Sequence, residues 1–172
     1  MTLMNRPKIL HRRISLLTQL FIIGLFFSGV TAIPLAGEVN LLVQNLHANG
    51  NPTAWAQWLL RVNDALAQTR AQHPFLFYGT DWLAFGHFMI AVVFVGALRD
   101  PVRNRWLFDF GLIACALVIP YAFMFGEVRG IPVWWRLIDC SFGVFGFIPL
   151  WFCRRWAIEL EKTATPRVTS TS

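Results

Sequence analysis

Four long apolar runs separated by short polar breaks dominate the pattern of the chain. They cover about residues 14–34, 81–98, 106–126 and 133–152. A helix rises about 1.5 Å per residue, so roughly 20 apolar residues reach the roughly 30 Å of a bilayer's hydrocarbon core. The breaks are well marked. Arg99-Asp100-Pro101-Val102-Arg103-Asn104-Arg105 sets a proline where a helix cannot continue, and Glu127-Val128-Arg129-Gly130-Ile131-Pro132 closes the third run. Pro120 predicts a kink inside the third run, and Pro149 falls near the end of the fourth. After it, Arg154, Arg155, Glu159, Glu161 and Lys162 form a charged helical extension, and the Ser/Thr-rich residues 163–172 read as a disordered tail.

Residues 37–79 differ in kind. Glu38, Asn40, Gln44 and Asn45 lead into Asn49-Gly50-Asn51-Pro52, a loop or turn signal. From Pro52 to Ala71, Trp55, Trp58, Leu59, Val62 and Leu66 recur near the helical period, while Gln57, Arg61, Asp64, Gln68 and Arg70 take other faces. This predicts an amphipathic helix, either on the membrane surface and capping the spans or packed on a neighbouring segment. The fold class expected is therefore an all-α membrane protein: four transmembrane helices in a bundle, within one domain over 1–162, plus an outer amphipathic helix in the insertion 37–79.

Composition agrees with the pattern. The 172 residues are 56% hydrophobic and 14% charged, against about 25% charged in a soluble domain, and mean hydropathy is +0.51. A net charge of +6 does not point to nucleic acid, because the basic residues flank the apolar runs. The N-terminus (Arg6, Lys8, Arg12, Arg13), the 99–105 turn (Arg99, Arg103, Arg105) and the C-terminal segment (Arg154, Arg155, Lys162, Arg167) hold eleven of the fifteen. Arg61, Arg70, Arg129 and Arg136 fall on the other side. Both termini are thus expected in the cytoplasm, and the localisation expected is a bacterial inner (plasma) membrane. Val30-Thr31-Ala32 offers a signal-peptide cleavage site, but the first run is long for a signal core of about 7–15 residues, and Gly24, Ser28 and Thr31 form a packing stripe. A retained first span is the expectation. Cys115, Cys140 and Cys153 all lie in apolar segments and read as buried thiols.

Candidate chemistry gathers on the outer side. Thr80, Ala84, His87 and Ala91 share one face of the second span, Asp139, Gly143 and Gly146 one face of the fourth, and Gly111, Cys115, Ala122 and Gly126 mark a small-residue face of the third. Such faces are expected to meet, which turns His87 and Asp139 inward. Glu38, Asp81, His87, Glu127, Arg136 and Asp139 are the candidate ligand-binding residues. If the protein is an enzyme, His87 with Asp139 or Asp81 would carry proton transfer on a lipid-like substrate. Plainer roles compete: Asp81 as a helix cap, Glu127 and Arg129 as solvated turn residues, Arg136 and Asp139 as an i, i+3 pair that neutralises itself. His47, His73 and His87 lack metal-ligand spacing, so no metal and no cofactor is expected. The bilayer is the expected surrounding, with a lipid-like ligand or a membrane protein as partner, no nucleic acid, and an oligomer open.

The blocks Gly79-Thr80-Asp81-Trp82-Leu83-Ala84-Phe85-Gly86-His87, Arg99-Asp100-Pro101-Val102-Arg103-Asn104 and Ile131-Pro132-Val133-Trp134-Trp135-Arg136-Leu137-Ile138-Asp139-Cys140-Ser141-Phe142-Gly143 resemble a family of small four-span bacterial membrane proteins. That resemblance covers about residues 75–160 and carries no activity. In layout the chain is also similar to the EXPERA superfamily, with four spans, an extramembrane insertion after the first and intramembrane acids. The superfamily includes sterol isomerases and sigma-2-type ligand-binding proteins. Two functions follow as expectations: a binding protein using a polar cavity at the outer face, or a membrane-embedded acid–base enzyme.

Overall fold

The structure, a computed structural model, describes residues 6–164. Every regular element among them is helical: α1 (Arg6–Ala32), α2 (Leu35–Asn45), α3 (Ala54–Gln72), a short 3-10 turn (Pro74–Phe77), α4 (Tyr78–Arg99), α5 (Arg105–Val128) and α6 (Val133–Ala164). Four helices among the described residues are long and apolar enough to cross a membrane, and they are the four apolar runs. Each is longer than its run, because a helix continues into polar flanks until something stops it. At 99–105 the stop is specific. Asn104 donates its side-chain amide to Gly96 O and Asp100 O, and Asp100 Oδ1 accepts the backbone N–H of Arg103. Both interior prolines are contained within helix, Pro120 in α5 and Pro149 in the middle of α6. Pro149 does not mark an end, because Leu150, Cys153, Ala157 and Leu160 carry the buried stripe of α6 onward past it. Helix also includes Thr163 and Ala164, which were expected in the tail, while 165–172 lie outside the described residues.

Two compact units divide the chain, 6–23 with 92–164, and 24–91. In the first, α5 and α6 pack closely in an antiparallel pair. A Cβ built on Gly143 would lie 2.7 Å from Cys115 O, one on Gly146 3.0 Å from Cys115 Sγ, and one on Gly111 2.7 Å from a Leu150 methyl. The small-residue faces are where the two backbones meet, as their spacing predicts. Around this pair Leu10, Ile14 and Thr18 of α1 are buried, and Thr18 Oγ1 lies 3.9 Å from Cys153 Sγ. Phe94 stacks on Phe21 at 4.8 Å and on Phe108 at 6.5 Å. Cys140 and Cys153 are buried, Cys115 half-buried, and all three are free thiols.

The second unit contains a finding the sequence reading missed. Residues 35–45 form a helix rather than a loop. Pro34 precedes it, where a missing N–H costs nothing. Leu35, Val39 and Val43 recur every four residues and face α3, forming a small core with Ala48, Ala56 and Leu59. The turn signal falls just beyond, where Gly50 adopts φ +76° and Asn51 Oδ1 accepts both the backbone N–H and the hydroxyl of Thr53. The amphipathic segment packs on a neighbouring helix: Leu59 of α3 is buried against α2, with Leu60, Val62 and Leu66 partly covered. In the same unit Gly29 of α1 admits Phe88 and the carbonyl of Ala84 so closely that a Cβ there would sit 2.6 Å from the ring.

Candidate functional site

Arg136 is the most buried charged residue described, 7% exposed in the first turn of α6. A desolvated guanidinium needs partners. The sequence expectation paired it with Asp139, and the structure corrects this. Arg136 Nε donates to Ile131 O at 2.7 Å and its Nη1 to Glu127 Oε2 at 2.6 Å. Side chains on a helix lean toward its N-terminus, so Arg136 points back into the 129–132 turn rather than forward to Asp139. Gly126 makes the room, since a Cβ there would lie 2.7 Å from Arg136 Cδ. Glu127 is therefore not a plain solvated turn residue, although its side chain is 77% exposed. Together the three residues lock the α5–α6 turn, and two members of the expected ligand set are engaged in structure.

That leaves Asp139 alone. It is half-buried in α6, and no hydrogen bond or ion pair joins its carboxylate to any described residue. The register explains why. Gly146 meets Cys115, Leu150 meets Gly111 and Arg136 meets Gly126, so the level of Asp139 on α5 falls at Ala122, which offers no donor. One turn beyond it Phe142 is 67% exposed, and Phe145, a further turn on, is 73% exposed. Trp134 and Trp135 stand edge to face at 5.5 Å at the start of the same helix. The result is an acid set in an apolar wall, with a broad aromatic face beside it.

Glu38, Asp81 and His87 belong to the unit 24–91. Glu38 is half-buried in the first turn of α2, and Asp81 is exposed in the first turn of α4. Asp81 suits the helix dipole there, as expected of an acid at a helix start, and no hydrogen bond joins its carboxylate to any described residue. With Tyr78, Trp82 and Phe85 it lines a shallow cavity of about 250 Å³. His87 is half-buried between the buried Ala84 and Ala91 on its face of α4. Its Nδ1 lies 2.8 Å from Leu83 O, a bond only an N–H can make to a carbonyl, so the ring is the Nδ1–H tautomer when neutral. Nε2 is then a free acceptor. No hydrogen bond or ion pair joins Glu38, Asp81 and His87 to one another.

Among the described residues no group of three His, Cys, Asp or Glu converges as a metal site would. The Glu127–Arg136 link was missed because charge spacing within one helix was read without the direction of the side chain. The signal available was Gly126, a small residue one turn-length before an arginine across a short turn. No protein-family model, curated protein or solved structure matches the chain, and what the site does is read from its own residues.

Proposed function

We propose that this chain is a multi-pass protein of the bacterial inner membrane that binds a membrane-embedded partner or a lipid-like ligand through the face of α6 around Asp139. In this reading α1, α4, α5 and α6 are the spans, bundled with both termini in the cytoplasm, and the α2–α3 hairpin lies outside. The four long apolar helices and the basic residues gathered at one set of helix ends support that topology. Burial of Leu10, Ile14 and Thr18 against the rest of their unit supports retention of α1 in the mature protein.

One observation carries the binding assignment: no hydrogen bond or ion pair joins the Asp139 carboxylate to any described residue. A charge inside a span is costly and is retained where something meets it. Phe142 and Phe145, exposed beside it, supply the apolar contact that a helix or acyl chain in the bilayer would make. The complementary group on the ligand is a cation or a hydrogen-bond donor. A photo-reactive amino acid at Phe142 tests this in intact membranes. A discrete adduct, protein or lipid by mass, that forms with Asp139 present and is lost in Asp139→Leu is expected; the same adducts in both backgrounds would sink the assignment.

A second reading is favoured by the Nε2 of His87, which makes no hydrogen bond to any described residue while Nδ1 is held by Leu83 O. It is the acid–base enzyme acting on a lipid-like substrate, with His87 and either Asp139 or Asp81 as proton carriers. His87→Phe separates the two. The binding reading expects the Phe142 adduct to persist, whereas loss of every cellular phenotype with the adduct intact favours the enzyme.

A further inference from the structure

The charges at the N-terminal end of α1 divide into two sets. Arg6 pairs with Glu159 at 2.5 Å, and Arg13 lies over the Trp156 ring at 5.7 Å. Nearby, Arg105 pairs with Glu161, Arg154 with Asp109, and Arg155 stacks on Trp151. Lys8 and Arg12 are different. Both are exposed on the opposite face of α1, and no hydrogen bond or ion pair reaches them from any described residue. All nine acids of the chain fall among the described residues, so no undescribed carboxylate side chain answers them.

These two cations line an open groove of about 440 Å³ together with His11, Ser15, Leu16 and Gln19. The groove contains no acid. Along the helix axis its cations come first, then the neutral donors Ser15 and Gln19 with Leu16 between them, and beyond the groove the exposed Leu20 and Ile23 continue α1 as an apolar track. From Arg12 to Ile23 is about 16 Å along a helix. That order matches a phospholipid read from phosphate, through glycerol and ester oxygens, into acyl chain. It also accounts for Gln19, a polar side chain exposed within an apolar run, where it would otherwise face hydrocarbon unbonded. A soluble anion would use the cations but leave the donors and the apolar track without a role.

We propose that this groove is a binding site for one anionic phospholipid of the cytoplasmic leaflet, with Lys8 and Arg12 on the phosphate, Ser15 and Gln19 on the glycerol region, and Leu16, Leu20 and Ile23 along an acyl chain. The proposal rests on the membrane reading above. The test uses the full chain purified in neutral detergent and titrated by native mass spectrometry with phosphatidylglycerol, with phosphatidylcholine of the same chains, and with glycerol phosphate as the headgroup alone. One saturable phosphatidylglycerol adduct is expected, far stronger than the other two. Lys8→Gln with Arg12→Gln should weaken it about 30-fold, the loss of two cations each worth about fivefold near an anionic headgroup. Arg61→Gln with Arg70→Gln removes the same charge from α3 and should change it less than threefold. Because Lys8 and Arg12 make no hydrogen bond or ion pair to any described residue, the site variant should melt with the wild type in lipid-free detergent. Equal adducts with phosphatidylcholine, equal loss in the two double variants, or full competition by glycerol phosphate would each overturn the lipid site. Release of the chain from membranes by alkaline carbonate would instead overturn the membrane reading itself.

Discussion

At the scale of single residues, Arg136 and Asp139 are one turn apart and do opposite things. Arg136 is bound on both sides of its turn, so replacing it removes a charge-assisted hydrogen bond to Ile131 O, the link to Glu127 and a side-chain stem packed over Gly126. Arg136→Leu should cost about 2–3 kcal/mol, the scale of a bond to a charged group plus lost packing. Glu127→Gln should cost less than about 1 kcal/mol, because that carboxylate is largely in solvent. Asp139 has nothing to lose in the isolated protein. Asp139→Leu should raise stability by about 1–2 kcal/mol by removing an unpaired acid from an apolar segment. Thermal melts in detergent check all three. A loss of stability in Asp139→Leu would mean that the acid has a structural partner after all.

At the scale of elements, the α5–α6 pair depends on backbone contact. Gly143 carries it, since a Cβ would press on Cys115 O, which cannot move aside, and on Val118. Gly143→Ala should destabilise by about 1–3 kcal/mol, the range for overpacking a tight contact. Gly86 in α4 meets nothing within 4 Å, so Gly86→Ala should gain about 0.5–1 kcal/mol from helix propensity. Paired melts of the two variants give opposite signs if the contact is as described. The α2–α3 hairpin has its own small core, and Leu59 is the larger of the two residues that α3 buries in it. Leu59→Ala should open the hairpin at a cost of about 2–5 kcal/mol. Hydrogen exchange should then quicken over 35–72 and stay unchanged in α5 and α6.

At the scale of the whole molecule, the topology in the proposed membrane reading is open to direct measurement. In a cysteine-free background, a cysteine at Asn49, an exposed loop position, should react with an impermeant reagent added to spheroplasts, and one at Arg103 should not. Labelling at 103 alone would invert the protein. N-terminal sequencing of the mature chain should show α1 retained, because α1 supplies the buried Ile14 and Thr18. A start at Ile33 would mean that α1 is removed.

The four long apolar helices, the amphipathic helix α3 and the small-residue contact of α5 with α6 were legible in the sequence alone, because each depends on length, hydropathy and spacing within one segment. Helix α2 was hidden by its polar residues, although Leu35, Val39 and Val43 already had the helical period. Other decisions belong to the tertiary structure. The partner of Arg136 depends on side-chain direction across a turn, and the isolation of Asp139 on a register that sets Ala122 at its level. Which cations at the end of α1 are answered depends on where Glu159 and Trp156 of α6 arrive. Periodicity determines which face a residue occupies, but only the packing of segments far apart in the chain determines what stands opposite that face.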